Sequence, residues 1–178
     1  MAIYDKLDGV ALDAYRKMVK DLKAKAMKEL NLSEDQIVVR QLRPQDLGVS
    51  NSSAHYGAEI TANTWSTIVN TIVGDNKFIG IYGFVIRASL PSSGDDLVPT
   101  KPILEQIRIT REGSIARYYN VKPINFFSNG IGYVDDPVTI SQNTGVTIEG
   151  FSMTSSTLTG NFDIVGVVVE KKGMTIYP

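Results

Sequence analysis

The chain has 178 residues, a formal net charge of −1 and 43% hydrophobic residues. This length suffices for one domain with a sizeable core, which would bury roughly 70% of the surface that the unfolded chain exposes. Because the sequence contains no cysteine and one histidine, it excludes disulfides, thiolate catalysis and zinc sites built from cysteines or several histidines.

Charge and hydropathy also argue against two classes of partner. Residues 1–31 carry seven Lys/Arg and five Asp/Glu, whereas residues 32–178 carry eleven and fourteen, so neither part forms a basic surface for direct nucleic-acid binding. No apolar run approaches the ~20 residues of a membrane-spanning helix. The start, MAIYDKLDGV, also lacks the features of a secretory signal. We expect a cytoplasmic product without a membrane partner.

The first predicted element is a long amphipathic helix between Tyr4 and Leu32. Apolar residues recur every three or four positions, Asp8 suits the N-cap, and lysines crowd the later turns. The apolar stripe is narrow and rich in alanine, so the helix could pack on its own domain or bind a second copy. The residues predicted for that second-copy interface are Tyr15, Met18, Leu22 and Ala26.

A short strand at Ile37–Leu42 and one helical turn at Arg43–Gly48 follow the helix. The next residues are small and polar, which is typical of a linker. The sequence therefore predicts a helical arm with a short strand at 1–48, a linker at 49–57 and a β-sandwich domain at 58–178.

Beyond residue 58 the pattern is nearly all strand and turn. Turn-forming runs such as Arg111–Gly113 and Lys171–Gly173 separate segments rich in β-branched and aromatic residues. The predicted strands are Glu59–Val73, Phe78–Ala88, Ile103–Thr110, Ile115–Val121, Tyr133–Ile140, Val146–Thr154, Phe162–Val169 and Met174–Tyr177. Eight strands at this spacing predict a mainly β fold, an antiparallel β-sandwich with an N-terminal helix. A jelly roll is favoured, and an immunoglobulin-like sandwich is the alternative.

Two of these segments carry further information. Both faces of 162–169 are apolar, which is the pattern of a central strand covered on both sides. In Phe78–Ala88, Gly80 and Gly83 interrupt an aromatic strand, which usually marks a bulge or a close approach of another backbone. We expect the large residues of this strand to pack in the core, although a ligand platform is an alternative.

Catalytic motifs are absent from the sequence. His55 lies in the predicted linker, and no nucleophile elbow, P-loop, dinucleotide-binding or zinc-protease motif occurs. The acidic pairs Asp95–Asp96 and Asp135–Asp136, predicted in loops, could offer oxygens to calcium but suit solvated charge better. We expect no enzyme activity, no catalytic residue, no cofactor and no metal site.

Two glycan-related alternatives stay open. A glycan-active hydrolase would need paired strand carboxylates, for which the candidates are Glu59, Glu105 and Glu149. A carbohydrate-binding module would use an aromatic face. Its candidates are Trp65, Tyr82, Tyr118, Tyr119, Phe126, Phe127 and Tyr133. Since Tyr118–Tyr119 and Phe126–Phe127 are adjacent, one residue of each pair should point into the core.

From residue 115 onward the order of features is distinctive. A hairpin strand precedes VKPINFF, then a Gly-rich turn leads into GYVDDPVTI, a strand ends in EGF, and GVVVEKKGMTIYP closes the chain. This order resembles the C-terminal half of single jelly-roll capsid and decoration proteins of phages and archaeal viruses. The resemblance implies a homo-oligomeric virion component, assembled in the host cytoplasm, that contacts copies of itself and other shell proteins.

Overall fold

The computed structural model describes residues 1–50, 55–86, 104–159 and 162–174. Within them, the α-helix α1 spans Gly9–Leu30, and short 3₁₀ turns lie at Glu34–Gln36, Pro44–Leu47 and Lys122–Phe126. The strands are β1 (Ile3–Tyr4), β2 (Ile37–Gln41), β3 (Gly57–Ile60), β4 (Thr64–Ile72), β5 (Lys77–Ile86), β6 (Gln106–Arg111), β7 (Arg117–Asn120), β8 (Ile131–Ile140), β9 (Gly145–Ser152), β10 (Ser156–Thr159) and β11 (Phe162–Lys171).

The strands form two main antiparallel sheets. The five-stranded sheet has the order β1-β8-β5-β11-β2, and the four-stranded sheet has the order β4-β9-β6-β7. Strands β3 and β10 pair as a separate two-stranded ribbon. A hydrophobic core between the two main sheets takes side chains from both, including Ile79, Ile81, Val168, Ile107 and Ile148. The predicted mainly β fold, an antiparallel sandwich with an N-terminal helix, is confirmed.

The strand pairs are nested along the sequence. Strand β2 pairs with β11, β4 with β9, β5 with β8 and β6 with β7. Along these eight strands, each step in the chain crosses from one sheet to the other, except at the β6–β7 hairpin. The first half of this strand series therefore pairs with the second half around the β6–β7 hairpin, and successive pairs alternate between the two sheets.

Strand β11 occupies the middle of its sheet, as its two apolar faces predict. It lies between β5 and β2. On one face Ile164 and Val168 join the core between the sheets, while on the other Val167 and Val169 pack under α1. The five-stranded sheet is thus covered on both faces, which explains the nearly continuous apolar pattern of this strand.

Gly80 and Gly83 of β5 lie at a close approach of α1 and at a bulge, respectively. A Cβ atom at Gly80 would lie 2.6 Å from Met18 Sδ and 2.7 Å from Leu22 Cδ1, so the missing side chain lets α1 approach the sheet closely. The β5–β8 register shifts between Ile81 and Gly83, which is the expected bulge. Ile81 and Phe84 are buried between the sheets and Phe78 is buried under α1, as predicted for the large residues of this strand. Tyr82, which was also predicted to pack in the core, is only partly buried beside α1.

The N-terminal segment differs from the prediction in where the helix begins. Ile3 and Tyr4 pair with Val134 and Tyr133 of β8 as an added edge strand, so the helix starts only at Gly9. Asp8 occupies the N-cap position but makes no side-chain capping hydrogen bond. At the other end, Asn31 adopts a left-handed conformation (φ 52°), and its backbone N–H donates to the carbonyl of Met27.

The helix packs on its own chain, which corrects the predicted second-copy interface. Met18, Leu22 and Ala26 are only 4%, 2% and 0% exposed, and they form a cluster with side chains of the five-stranded sheet. The ring of Tyr15 lies 4.7 Å from that of Tyr82. The physical reason is that the outer face of this sheet is apolar and must be shielded from water. These four side chains are therefore engaged within the chain.

The predicted division into arm, linker and sandwich also looks different in three dimensions. Residues 1–48 supply β1, α1 and β2, and both strands belong to the five-stranded sheet. The helix therefore forms a third layer of the body. Of the predicted linker, residues 51–54 lie outside the described part of the chain, and Tyr56 is buried in the core.

Three other strand predictions change in detail. The long segment Glu59–Val73 is interrupted at Asn63, which has a φ of 57°, and so forms β3 and β4. An additional strand, β10, lies between the predicted strands Val146–Thr154 and Phe162–Val169, where it pairs with β3. At the C-terminus, Met174 lies in a turn, while residues 175–178 of the predicted last strand fall outside the described residues.

Candidate functional site

Two clusters of polar side chains stand out from the packed core, and the first is a buried ionic cluster of Arg40, Asp46, Lys77 and Glu170. Arg40 donates to both oxygens of Asp46 (2.7 Å each) and to both oxygens of Glu170 (2.9 Å each). Lys77 Nζ lies 2.9 Å from Asp46 Oδ1. The side chains of Arg40, Asp46 and Glu170 are 5% exposed or less.

Hydrogen bonding keeps this cluster charged. Burial alone would raise the pKa of Asp46, but bonds from Arg40, from Lys77 and from the backbone N–H of Arg43 outweigh burial and lower that pKa to about 2. Bonding to Asp46, and then to Glu170, also raises the pKa of Arg40 despite its burial. With two cations and two anions the cluster is neutral, and every carboxylate oxygen accepts a hydrogen bond. This arrangement suits a structural tie and not proton transfer.

The fold explains where the ionic cluster lies. Arg40 is on β2 and Glu170 on β11, which pair with each other, while Asp46 comes from the 3₁₀ turn that follows β2. Leu47 of the same turn is buried in the core between the sheets. The cluster therefore fastens the crossing of the chain from β2 in one sheet to β4 in the other. Sequence analysis missed it, although charges at the ends of apolar runs (VVR and VVVE) were a visible signal.

The second cluster lies on the outer face of the four-stranded sheet, and we call it the outer platform: Trp65, Arg108, Tyr118, Glu149 and Phe151. The Trp65 ring lies 5.8 Å from that of Tyr118 and 5.5 Å from that of Phe151, measured between centroids. The guanidinium carbon of Arg108 lies 4.5 Å from the Trp65 ring centroid. Arg108 also donates two hydrogen bonds of 2.7 Å to Glu149.

Strand register aligns these side chains in two rows across the sheet. One row runs from Trp65 through Phe151 and Gln106 to Asn120, and the next runs from Thr67 through Glu149 and Arg108 to Tyr118. Their neighbours along each strand, among them Ile107, Ile109, Ile148 and Tyr119, point into the core. Since side chains alternate between the faces of a sheet, both rows face away from the core. Tyr118 is 52% exposed.

The aromatic residues predicted as a possible sugar face divide between surface and core. As expected for adjacent pairs, Tyr119 is buried beside exposed Tyr118, and Phe127 packs against the core beside exposed Phe126. Tyr82 and Tyr133 stack on each other near the helix, with ring centroids 6.2 Å apart. Only Trp65 and Tyr118 of the predicted set lie on the outer platform. The sequence analysis missed Phe151 and Arg108. Each alternates with buried residues along its strand, and this alternation could have placed both on the outer face.

The candidate carboxylates do not form a catalytic pair. Glu149 is bound to Arg108, and Glu59 lines an open groove of about 320 Å³ with hydroxyl residues and without Glu105 or Glu149. His55 is exposed. It lies close enough to Asp163 to counter part of the rise in pKa that burial causes in that carboxyl.

The two acidic pairs have different outcomes. Asp135 and Asp136 lie within β8, so the strand predicted at Tyr133–Ile140 is confirmed there and the loop position predicted for the pair is wrong. Asp135 Oδ1 accepts a hydrogen bond of 3.1 Å from the backbone N–H of Ala2, and Asp136 forms an ion pair with Arg117. Asp95–Asp96 lies outside the described residues. Across the described ranges, no group of three His, Cys, Asp or Glu side chains is placed to hold a metal ion.

No model of a known protein family matches the chain, and no curated protein matches it. A search of the described part of the chain finds no helix long and apolar enough to cross a membrane. Function must therefore be inferred from the fold and from the two clusters.

Proposed function

We propose that this protein is a structural component of a virion or of another closed assembly, and that it acts by contacting copies of itself and other shell proteins. The observation that carries the proposal is the nested pairing of eight strands in two sheets. We assign this pairing to a jelly roll, an architecture that viral capsid proteins and lectins use. An immunoglobulin-like sandwich, the other expected topology, groups its strands as ABED and CFG.

The ionic chemistry supports a structural role. The most deeply buried charges, those of Arg40, Asp46 and Glu170, are neutralised with the help of Lys77 and tie the turn after β2 to the five-stranded sheet. They supply rigidity to the crossing of the chain and leave no carboxylate oxygen of the cluster without a hydrogen bond. A sandwich whose chain crossing is held rigid in this way can present the same contact surface in every copy of an assembly.

Contacts between copies would use the ends of the sandwich, because the apolar stripe of α1 is occupied within the chain. Ile115, in the β6–β7 turn, is 91% exposed, and Ile72 is 68% exposed. Ile72 pairs with Gly145, whose carbonyl accepts a hydrogen bond from the β6–β7 turn at Glu112, so both isoleucines lie at the same end. Phe126, beyond the other end of β7, is 80% exposed. A contact between copies at these ends would remove their side chains from water.

Light scattering coupled to size-exclusion chromatography, together with electron micrographs of the purified full chain, tests the proposal. We expect oligomers or particles from the wild-type chain, and a shift toward monomer in Ile115→Asp and Phe126→Asp. The matched control is Val10→Asp, which places the same charge at an apolar helix residue that is 59% exposed. A wild-type chain that stays monomeric at every concentration, or a control that dissociates as fully as the end variants, would contradict the proposal.

A further inference from the structure

We infer that the outer platform is a binding site for uncharged carbohydrate, with Trp65 and Tyr118 as the stacking surfaces and the neighbouring polar side chains as hydrogen-bonding groups. The inference does not rest on the proposed assembly role. It concerns a different surface, the outer face of the four-stranded sheet, whereas the proposed contacts between copies lie at the ends of the sandwich.

The aromatic part of the platform is held in one arrangement. Arg108 stacks on Trp65, while Tyr118 meets the indole edge-on at 71° and Phe151 meets it at 46°. An indole fixed on three sides loses little conformational freedom when a ligand binds. Sugar rings present flat patches of C–H groups, and these pack well on aromatic rings such as that of Tyr118, which is exposed beside the half-buried Trp65. The platform therefore offers a preorganised apolar surface of the kind that a pyranose ring requires.

Hydrogen-bonding groups surround this apolar surface at spacings set by the sheet. Gln106 and Asn120 continue the row of Trp65, and Thr67, Glu149 and Arg108 continue the row of Tyr118. Strands lie about 4.8 Å apart, so each row of four spans roughly 14 Å. Amides, a carboxylate, a guanidinium and a hydroxyl together supply both donors and acceptors. Hydroxyl groups, which both donate and accept, match this mixture.

Charge decides against other ligands for the same aromatic surface. Arg108 and Glu149 cancel within the platform, with both oxygens of Glu149 bound to the guanidinium at 2.7 Å. Single-stranded nucleic acid also stacks on aromatic side chains, but it needs an accompanying positive groove. The neighbouring residues of both rows, Thr67, Gln106 and Asn120, carry no charge. A neutral polyhydroxylated ligand is therefore the class that the platform complements.

Because Trp65 is the single tryptophan of the chain, its fluorescence reports directly on the platform. We would screen the full chain on an array of neutral and sialylated oligosaccharides and then titrate cellohexaose, maltohexaose and chitohexaose while recording tryptophan emission. We expect at least one neutral saccharide to shift or quench the emission in a saturable manner. Tyr118→Ala should weaken that binding at least about fivefold, and Glu149→Gln should also weaken it.

The matched control is Phe126→Ala, which removes an exposed ring outside the platform and should leave saccharide affinity unchanged. Circular dichroism of each variant would establish that it is folded. Three results would overturn the inference: no response to any saccharide, a response to single-stranded oligo-dT in place of saccharide, or an emission change that depends on protein concentration alone. The last would identify a second copy of the chain as the occupant. None of these results depends on whether the end variants affect assembly.

Discussion

The outer faces of the two sheets differ in polarity: one is apolar and covered by α1, and the other is largely polar and open to solvent. On the five-stranded sheet, Phe78, Val167 and Val169 face outward and are covered by α1. On the four-stranded sheet the corresponding positions hold residues such as Thr67, Arg108 and Glu149, and they have no covering helix among the described residues. Alternate positions of a strand thus decide whether a sheet needs a third layer. An apolar outer face must be covered by a further layer such as α1, whereas a polar outer face can stay in contact with solvent and is available for binding.

The covered face should be the more sensitive to charge, and two alanines of one helix provide the sharpest test. Ala26 is fully buried against the sheet, whereas Ala24 is exposed. We expect Ala26→Asp to lower the free energy of unfolding by more than about 4 kcal/mol, because it buries an unpaired carboxylate. Ala24→Asp should cost only about 0.7 kcal/mol, through helix propensity.

Urea unfolding followed by circular dichroism measures both variants. If Ala26→Asp does not fold, Ala26→Val serves as a milder change, with an expected loss of about 1–3 kcal/mol from overpacking. Equal losses at positions 24 and 26 would show that the helix does not cover the sheet in solution.

A second test compares the arginine of the buried ionic cluster with that of the open face. Arg40→Met should lower the free energy of unfolding by about 3 kcal/mol, because it leaves two buried carboxylates without their main partner. Arg108→Met should cost about 1 kcal/mol or less, since the Arg108 side chain is 25% exposed and water can solvate Glu149 in its place. Chemical denaturation of both variants under the same conditions measures the difference. A larger loss at Arg108 than at Arg40 would reverse our ranking of the two clusters.

A third test uses a pH dependence that belongs to the ionic cluster. The pKa of Asp46 is about 2 in the folded chain, against an ordinary value of 3.8. The stabilisation from this carboxylate is fully present above about pH 4. It is lost as the pH falls toward 2, because the unfolded state takes up the proton first. The loss should be about 2 kcal/mol.

Unfolding free energies measured from pH 6 down to pH 2, in the wild type and in Asp46→Asn, isolate this contribution from that of the other carboxylates. The asparagine variant should be less stable at pH 6, and its stability should fall less steeply below pH 4. Parallel curves for the two proteins would mean that Asp46 does not titrate at the depressed pKa that its hydrogen bonds imply.

Local sequence pattern determined the elements and the side chains that face the core. The spacing of apolar residues predicted α1, and the double apolar face of 162–169 placed β11 at the centre of a sheet. Adjacency predicted that one of Tyr118 and Tyr119 points inward, and the structure shows that this residue is Tyr119. Each of these properties depends on a periodicity of 2 or 3.6 residues, which a short stretch of chain carries by itself.

Only the tertiary structure decided which elements meet. Local pattern did not show that β2 pairs with β11, that Ile3–Tyr4 extends the sheet, or that the stripe of α1 lies on its own chain. Nor did it bring Arg40, Asp46 and Glu170 together, since the ion pairs join residues up to 130 positions apart. The physical reason is that pairing between distant segments depends on how all the apolar faces are buried at once, and no single segment records that balance.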